Sequence, residues 1–278
     1  MYRFAGNPTA EIALIPPLLT LIDAAGAAIL EEYASGSAVE LKADRSPLTQ
    51  ADRRAHQILE AGLRALSPAW PVLSEESPPA AIAARRSWTR FWLVDPLDGT
   101  REFLARNGEF TVNIALIDQH APVLGVIAVP AAGIIYWGVP GHGAFKLQRG
   151  GSTEPISARP NAEMPLRVCG SRSHRGDSLR GFLQHVGPHE LIPVGSALKF
   201  GWIAEGRADV YPRLGPTSEW DTAAGQAVAE AAGAAVITAD GEPLRYNLRD
   251  TLLNPHFIVY ADRSRDWSAA LRASAAAQ

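Results

Sequence analysis

The segment Asp95-Pro96-Leu97-Asp98-Gly99-Thr100 is where this chain gathers the side chains best suited to chemistry. Two carboxylates three residues apart, separated by a proline turn, can reach a common point. Hard oxygen ligands at that spacing suit Mg²⁺, which takes a few protein carboxylates and completes its shell with water and phosphate oxygens. The segment follows the apolar run Phe91-Trp92-Leu93-Val94. Its acids therefore fall at the end of an expected strand, where α/β proteins tend to build their sites. Gly99 allows close backbone approach. The N–H groups of Gly99 and Thr100 suit a phosphate oxygen, above all if Thr100 begins a helical turn. Asp-Gly and Pro-x-Asp-Gly are also ordinary turn sequences, so the segment alone leaves a plain turn open.

Two more acidic segments bear on that choice. Ser74-Glu75-Glu76-Ser77 follows the short apolar run Val72-Leu73. By itself it reads better as a helix start, with Ser74 as the cap and acids in the first turn. Glu219-Trp220-Asp221-Thr222-Ala223-Ala224-Gly225 opens an alanine-rich stretch. Asp221 in isolation likewise reads better as an N-cap.

Taken together and in order, Glu75-Glu76, the Asp95–Thr100 segment and Trp220-Asp221-x-Ala-Ala-Gly resemble the signature of the inositol monophosphatase superfamily of lithium-sensitive phosphatases. That superfamily includes inositol monophosphatases, fructose-1,6-bisphosphatases and 3′(2′),5′-bisphosphate nucleotidases. The likeness runs from about Ala24 to Tyr260. It implies that Glu75, Asp95 and the carbonyl of Leu97 hold a first Mg²⁺. Asp95, Asp98 and Asp221 hold a second, with two or three ions per site. Ions about 3.5–4 Å apart stabilise both the attacking and the leaving oxygens of an in-line displacement, and they lower the pKa of a bound water. Asp52 matches the family's aspartate that hydrogen-bonds the Thr100 hydroxyl, a pair that orients the water and takes its proton. Asp52, Thr100 and Glu75 are thus the expected catalytic side chains, with Glu76 supporting them from behind. Without the resemblance, Asp52 is an anonymous acid early in a helix.

The flanking residues narrow the substrate. Asp98-Gly99-Thr100-Arg101-Glu102-Phe103 and then Asn107-Gly108-Glu109-Phe110 look like the CysQ-type bisphosphate nucleotidases, where inositol-directed relatives more often carry Thr-Asn-Phe. Ser171-Arg172-Ser173-His174, Gly195-Ser196-Ala197-Leu198-Lys199-Phe200 and Tyr211-Pro212-Arg213-Leu214-Gly215-Pro216-Thr217 agree. Ala197 departs from that pattern, in which a second serine is usual, and this puts one hydroxyl contact in doubt. Glu219 falls at a variable position and receives no role. A bisphosphate carries a second phosphate that the metals do not touch, and it needs donors of its own. Lys199, Arg213, Arg172 and His174 are the candidates, and Gly195-Ser196 opens a helix whose N-terminus favours anions. Arg213 stands where an inositol-directed enzyme is expected to carry an acid. Each lone base also reads as a solvated surface residue, least so for Lys199 and Arg213.

The expected reaction is hydrolysis of adenosine 3′,5′-bisphosphate to AMP and phosphate, with 3′-phosphoadenosine 5′-phosphosulfate as a second substrate. The alternatives are inositol monophosphatase or fructose-1,6-bisphosphatase activity, and a catalytically silent nucleotide- or metal-binding protein on the same scaffold. The intact set of acids argues against the last.

The elements that must position these residues are legible in outline. Apolar spacing predicts a helix over 16–34, with Pro17 in its first turn, and a second over 50–66. Short strand-like runs at 91–94, 111–117, 123–129 and 134–137 suggest an antiparallel meander. The Gly-, Ser- and Pro-rich stretch 148–165 reads as a long connection between two lobes, 1–150 and 151–278. The second lobe alternates short strands with helices, which indicates α/β order. The expected fold is α+β passing into α/β, a layered helix–sheet sandwich of the inositol monophosphatase type, with the site between the lobes.

Bulk properties agree with a globular enzyme. The chain has 278 residues, of which 47% are hydrophobic and 20% charged, and a formal charge of −3. No basic stripe calls for nucleic acid. Bound metal ions would invert the local charge for an anionic substrate. Cys169 is alone, so no intramolecular disulfide or thiolate zinc cluster is available. No apolar run is expected to reach the ~20 residues that span a bilayer, and the N-terminus lacks a secretory pattern. The expectation is a cytoplasmic enzyme of a small nucleotide bisphosphate. Oligomeric state leaves no signal.

Overall fold

The structure, a computed structural model, describes residues 8–36, 39–41, 47–171 and 177–275. Helix α1 (Pro8–Ser35) leads into the paired strands β1 (Val39–Leu41) and β2 (Pro47–Thr49), then α2 (Gln50–Leu66). A seven-stranded sheet follows: β3 (Val72–Ser74), β4 (Arg90–Asp98), β5 (Thr111–Asp118), β6 (Ala121–Val129), β7 (Ile134–Val139), β8 (Gly143–Gln148) and β9 (Thr153–Ile156), side by side in that order. Only the β3–β4 pair is parallel. The short helices α3 (Pro79–Ala84) and α4 (Thr100–Leu104) flank β4. The rest of the chain adds β10 (Leu166–Ser171), α5 (Asp177–Val186), β11 (His189–Val194), α6 (Leu198–Ala204), β12 (Val210–Arg213), α7 (Ala223–Ala231), β13 (Ala235–Thr238), β14 (Phe257–Tyr260) and α8 (Trp267–Ala275). Its five strands lie in the order β11-β10-β12-β14-β13, with β10 parallel to both neighbours and β14 antiparallel to both of its own.

Three cores divide these elements into five layers, α–β–α–β–α. The first lies between α1, α2 and the outer face of the large sheet. The second lies between the two sheets and encloses α6 and α7. The third packs α5 and α8 on the far face of the small sheet. Strand β4 shows why its sequence is a continuous apolar run. Phe91 and Leu93 enter the central core, while Trp92 and Val94 enter the outer one. A strand buried on both faces has no polar side to show.

Several expectations need correction. The first helix begins at Pro8, eight residues before the proline pair, so Pro16 and Pro17 lie inside it. The lost hydrogen bonds are offset by burial of Ile15, Leu18, Ile22 and Ile29 against α2 and the sheet. This helix is also long and apolar enough, over Ala10–Ser35, to meet the length and composition of a membrane span. The scattered acids Glu11, Asp23 and Glu31 hid that length, and in the structure its apolar face packs on the first core. The stretch read as a connection contains β9, which extends the large sheet past Gln148. Finally, β13 and β14 give the second sheet an antiparallel edge that the sequence reading did not foresee.

Candidate active site

Strand β4 delivers the first acids. Its ladder with β5 holds through Asp95 opposite Asn113, slips, and resumes at Asp98 opposite Thr111. Pro96 has no N–H to offer a ladder, so the chain bulges there. The bulge folds back on itself, with the Leu97 amide donating to Asp95 Oδ1 at 3.0 Å. Gly99 then takes φ +87°, and a Cβ there would meet Ser196 Oγ at 2.0 Å. Only glycine fits that turn. Asp221 comes from the other half of the chain, at the end of the short 3₁₀ turn Glu219–Asp221 that precedes α7. Its Oδ2 accepts the Ser218 amide at 2.9 Å. Thr222, not Asp221, occupies the cap position of α7.

Ligand oxygens of Asp95, Asp98 and Asp221 all lie within 4.8 Å of one another. Burial pushes the Asp95 carboxyl well above its usual range, and the charges of Glu75, Asp98 and Asp221 push it further. Asp221 is pushed up to about 8 by burial, then by Asp98, with the Ser218 amide opposing and Glu75 adding to the rise. Burial also raises Asp98, against the Lys199 ammonium and the Ala197 amide. Acids that repel one another in a desolvated pocket are what a bound cation relieves. The Oδ1 of Asn113, opposite Asp95, is buried without a hydrogen-bond partner in the structure, as suits a neighbour of a hydrated ion. All the ligands are hard oxygens, so the residues fit a hard divalent cation.

Glu75 lines the same cleft, of about 440 Å³, with Asp98, Gly99, Thr100, Ser196, Lys199, Arg213 and Asp221. The structure thus brings together most of the residues singled out from sequence. Asp95 and Leu97 are buried beneath it. Arg172 and His174 lie outside the described residues.

Three roles differ from those expected. First, the Oδ2 of Asp52 accepts the Thr49 amide at 2.7 Å and the Thr49 hydroxyl at 2.6 Å, closing a capping box at the start of α2. Among the described residues no hydrogen bond joins it to Thr100, because this oxygen serves the helix's own first turn. Second, the Gly195–Ser196 turn is not an open anion site. The Gly195 amide donates to Glu109 Oε2 at 2.8 Å, Ser196 Oγ to the Asp98 carbonyl at 2.9 Å, and the Ala197 amide to Asp98 Oδ2 at 2.6 Å. The acid of the motif itself takes the place of an anion at this turn. Third, Lys199 is buried and donates to the Ser196 carbonyl at 2.6 Å and the Val194 carbonyl at 3.4 Å. Burial lowers its pKa to about 8, although Asp98 works the other way. Arg213 donates to the carbonyls of Gly215 and Pro216, and its Nη1 makes no hydrogen bond among the described residues.

Sequence reasoning passed over Glu109, Asn113 and Glu219. Glu219 is fully buried, accepts the Asn247 amide at 2.8 Å and pairs with Arg249 at 3.1 Å. Its adjacency to Trp220-Asp221 was the available signal. Glu109 stands in the quoted Asn107–Phe110 segment and Asn113 three residues beyond it, but nothing there says which acid or amide turns inward.

The inositol monophosphatase family model matches residues 14–276. This chain belongs to that family, one of metal-dependent phosphatases. It is 51% identical over 237 residues to the 3′(2′),5′-bisphosphate nucleotidase CysQ of Salmonella typhimurium, covering 84% of this chain and 94% of that one. It is 38% identical over 255 residues to the protein of the same name from Haemophilus influenzae, covering 91% of this chain and 95% of the relative. Among solved structures, CysQ from Bacteroides thetaiotaomicron superposes with a TM-score of 0.78 at 43% identity, over 91% of this chain and 98% of the other. An inositol monophosphatase from Thermotoga maritima gives 0.77 at 21% identity, over 94% and 96% of the two chains. The fold is thus that of the family.

Proposed function

We propose that this chain hydrolyses adenosine 3′,5′-bisphosphate to AMP and phosphate, with Mg²⁺ as its ion. The observation that carries the reading is the convergence of Asp95, Asp98 and Asp221 within 4.8 Å, in a cleft that Lys199 and Arg213 also line. The identity to CysQ nucleotidases supports the choice of a bisphosphate over an inositol phosphate.

Glu75, Asp95, Asp98, Asp221 and the carbonyl of Leu97 would hold the ions. When bound, the ions neutralise the reacting phosphate and make water acidic enough to attack it. The water oxygen bonds to phosphorus, the bond from phosphorus to the ribose 3′ oxygen breaks, and that oxygen takes up a proton. The amides of Gly99 and Thr100 hold a phosphate oxygen, and the Thr100 hydroxyl accepts the water's proton for transfer towards Asp52. That transfer requires Asp52 to turn from Thr49 when substrate binds. Arg213 offers Nη1 to the second phosphate.

Phosphate release in Mg²⁺ is the test, measured side by side on adenosine 3′,5′-bisphosphate, inositol 1-phosphate and fructose 1,6-bisphosphate. The nucleotide is expected to be preferred. Activity is expected to vanish in excess chelator, and to fall by orders of magnitude in Asp221→Asn while the fold is kept. A preference for either of the other substrates overturns the substrate. Full activity in chelator overturns the chemistry.

A further inference from the structure

The metals and Arg213 account for the phosphates of a nucleotide bisphosphate, but not for its base. A base presents a flat, weakly polar face and is best held by apolar or aromatic surface. The cleft's other large apolar side chains, Phe200 and Tyr211, are buried in the central core. Leu253 is different, lining the cleft with 49% of its surface exposed.

An exposed leucine alone means little. Here its backbone is held in three ways. The Leu253 amide donates to Thr251 Oγ1, and its carbonyl accepts Arg249 Nε. Leu253 forms a β-bridge with Ser218, and the Asn254 amide donates to the Thr217 carbonyl at 2.8 Å. Asn254 Nδ2 adds bonds to Thr217 Oγ1, the Ser218 carbonyl and Thr222 Oγ1. The start of the loop is fixed as firmly. Asn247 stands at φ +58°, and the buried Arg85 reaches its side chain and the carbonyls of Arg249 and Asp250. A segment fastened this thoroughly keeps its leucine in the open, one bridge partner from Ser218, whose amide is bonded to Asp221.

We propose that Leu253, with Pro216 on the same rim, is the shelf on which the nucleobase of the substrate packs. The proposal rests on the nucleotide reading above and adds the residue that tells a nucleotide from a bare sugar phosphate. Packing a base face on one leucine contributes equally to ground and transition states, so its loss appears in KM rather than kcat.

The experiment compares wild type, Leu253→Ser and Leu253→Met on two substrates, with melting temperature as the fold control. One substrate is adenosine 3′,5′-bisphosphate. The other is methyl ribofuranoside 3,5-bisphosphate, the same sugar and phosphates with a methoxy group in place of the base. Leu253→Ser is expected to raise KM for the nucleotide about 3- to 10-fold, the scale of losing one leucine's contact area. Its kcat is expected to stay within about twofold of wild type, with the base-free substrate unaffected. Leu253→Met is expected to restore the nucleotide KM. Unchanged nucleotide KM in Leu253→Ser, or equal losses on both substrates, overturns the shelf and leaves the nucleotidase standing. Wild-type enzyme that hydrolyses neither bisphosphate overturns the function, and the shelf with it.

Discussion

Lys199 and Arg213 look equivalent in sequence, as two bases suited to a second phosphate, and the structure separates them. Lys199 spends its ammonium on the carbonyls of Ser196 and Val194, and so braces the turn whose Ser196 and Ala197 hold Asp98. Arg213 lines the cleft, and its Nη1 makes no hydrogen bond among the described residues. Arg213→Ala is therefore expected to cost about tenfold to a hundredfold in kcat/KM on adenosine 3′,5′-bisphosphate, the value of a charge-assisted contact of about 1.5–3 kcal/mol. Its effect on 3′-AMP, which lacks the second phosphate, should be small. Lys199→Ala should instead damage both substrates alike and raise the Mg²⁺ concentration for half-maximal activity. Steady-state kinetics on the two substrates decide it, and a Lys199→Ala loss confined to the bisphosphate refutes the bracing role. The metal acids were legible because carboxylates three residues apart after an apolar strand have few other reasons to be there. Lys199 was misjudged because sequence does not show which carbonyls fold back within reach of an ammonium.

Element by element, the sequence was most informative where one face had to be apolar. Helix α2 has the expected bounds, and β4 to β7 fall within two residues of the expected runs or extend them. The segment from 241 to 256, by contrast, has little regular structure and no periodicity, so nothing in it announced a role. Yet it supports Asp221 through Glu219. That carboxylate, pushed up to about 7 chiefly by burial, accepts from Asn247 and Arg249, and Asn247 is itself bonded by Arg85. Glu219→Ala leaves a buried amide and a guanidinium without their acceptor, which costs about 3–5 kcal/mol. It should also loosen the 3₁₀ turn, so Mg²⁺ binding measured by calorimetry should weaken severalfold. Glu219→Gln keeps an acceptor for Asn247 and is expected to recover most of the Mg²⁺ affinity. If Glu219→Ala lowers the melting temperature and leaves Mg²⁺ binding untouched, the network serves stability alone.

At the scale of the molecule, α7 is the element on which the two halves agree. It lies in the central layer, begins just after Asp221 and packs against β6 and β7 of the large sheet. That approach depends on two glycines. A Cβ on Gly125 would meet the Ala224 carbonyl oxygen at 2.3 Å, and one on Gly138 would meet Ala231 Cβ at 2.8 Å and Val228 Cα at 2.9 Å. Neither glycine has a positive φ, so crowding alone forbids the side chain. Overpacking of this kind costs about 1–3 kcal/mol, and both Gly125→Ala and Gly138→Ala should lower the melting temperature by several degrees. Their effects on the site should differ. Ala224 is three residues from Asp221, whereas Val228 and Ala231 stand towards the far end of the helix. Displacing α7 at Ala224 moves the turn that carries Asp221; displacing it at Ala231 tilts the end that carries no ligand. Gly125→Ala is thus expected to raise the Mg²⁺ requirement severalfold and Gly138→Ala to leave it nearly unchanged. Gly181 in α5 supplies the control, since a Cβ there meets nothing closer than 3.8 Å. Gly181→Ala should stabilise the protein by about 0.5–1 kcal/mol, through the helix propensity of alanine. Thermal melts and Mg²⁺ titrations of the three variants test the argument together. Equal Mg²⁺ shifts in Gly125→Ala and Gly138→Ala would mean that α7 moves as a rigid rod, and that Asp221 is placed by the whole layer rather than by its nearest contact.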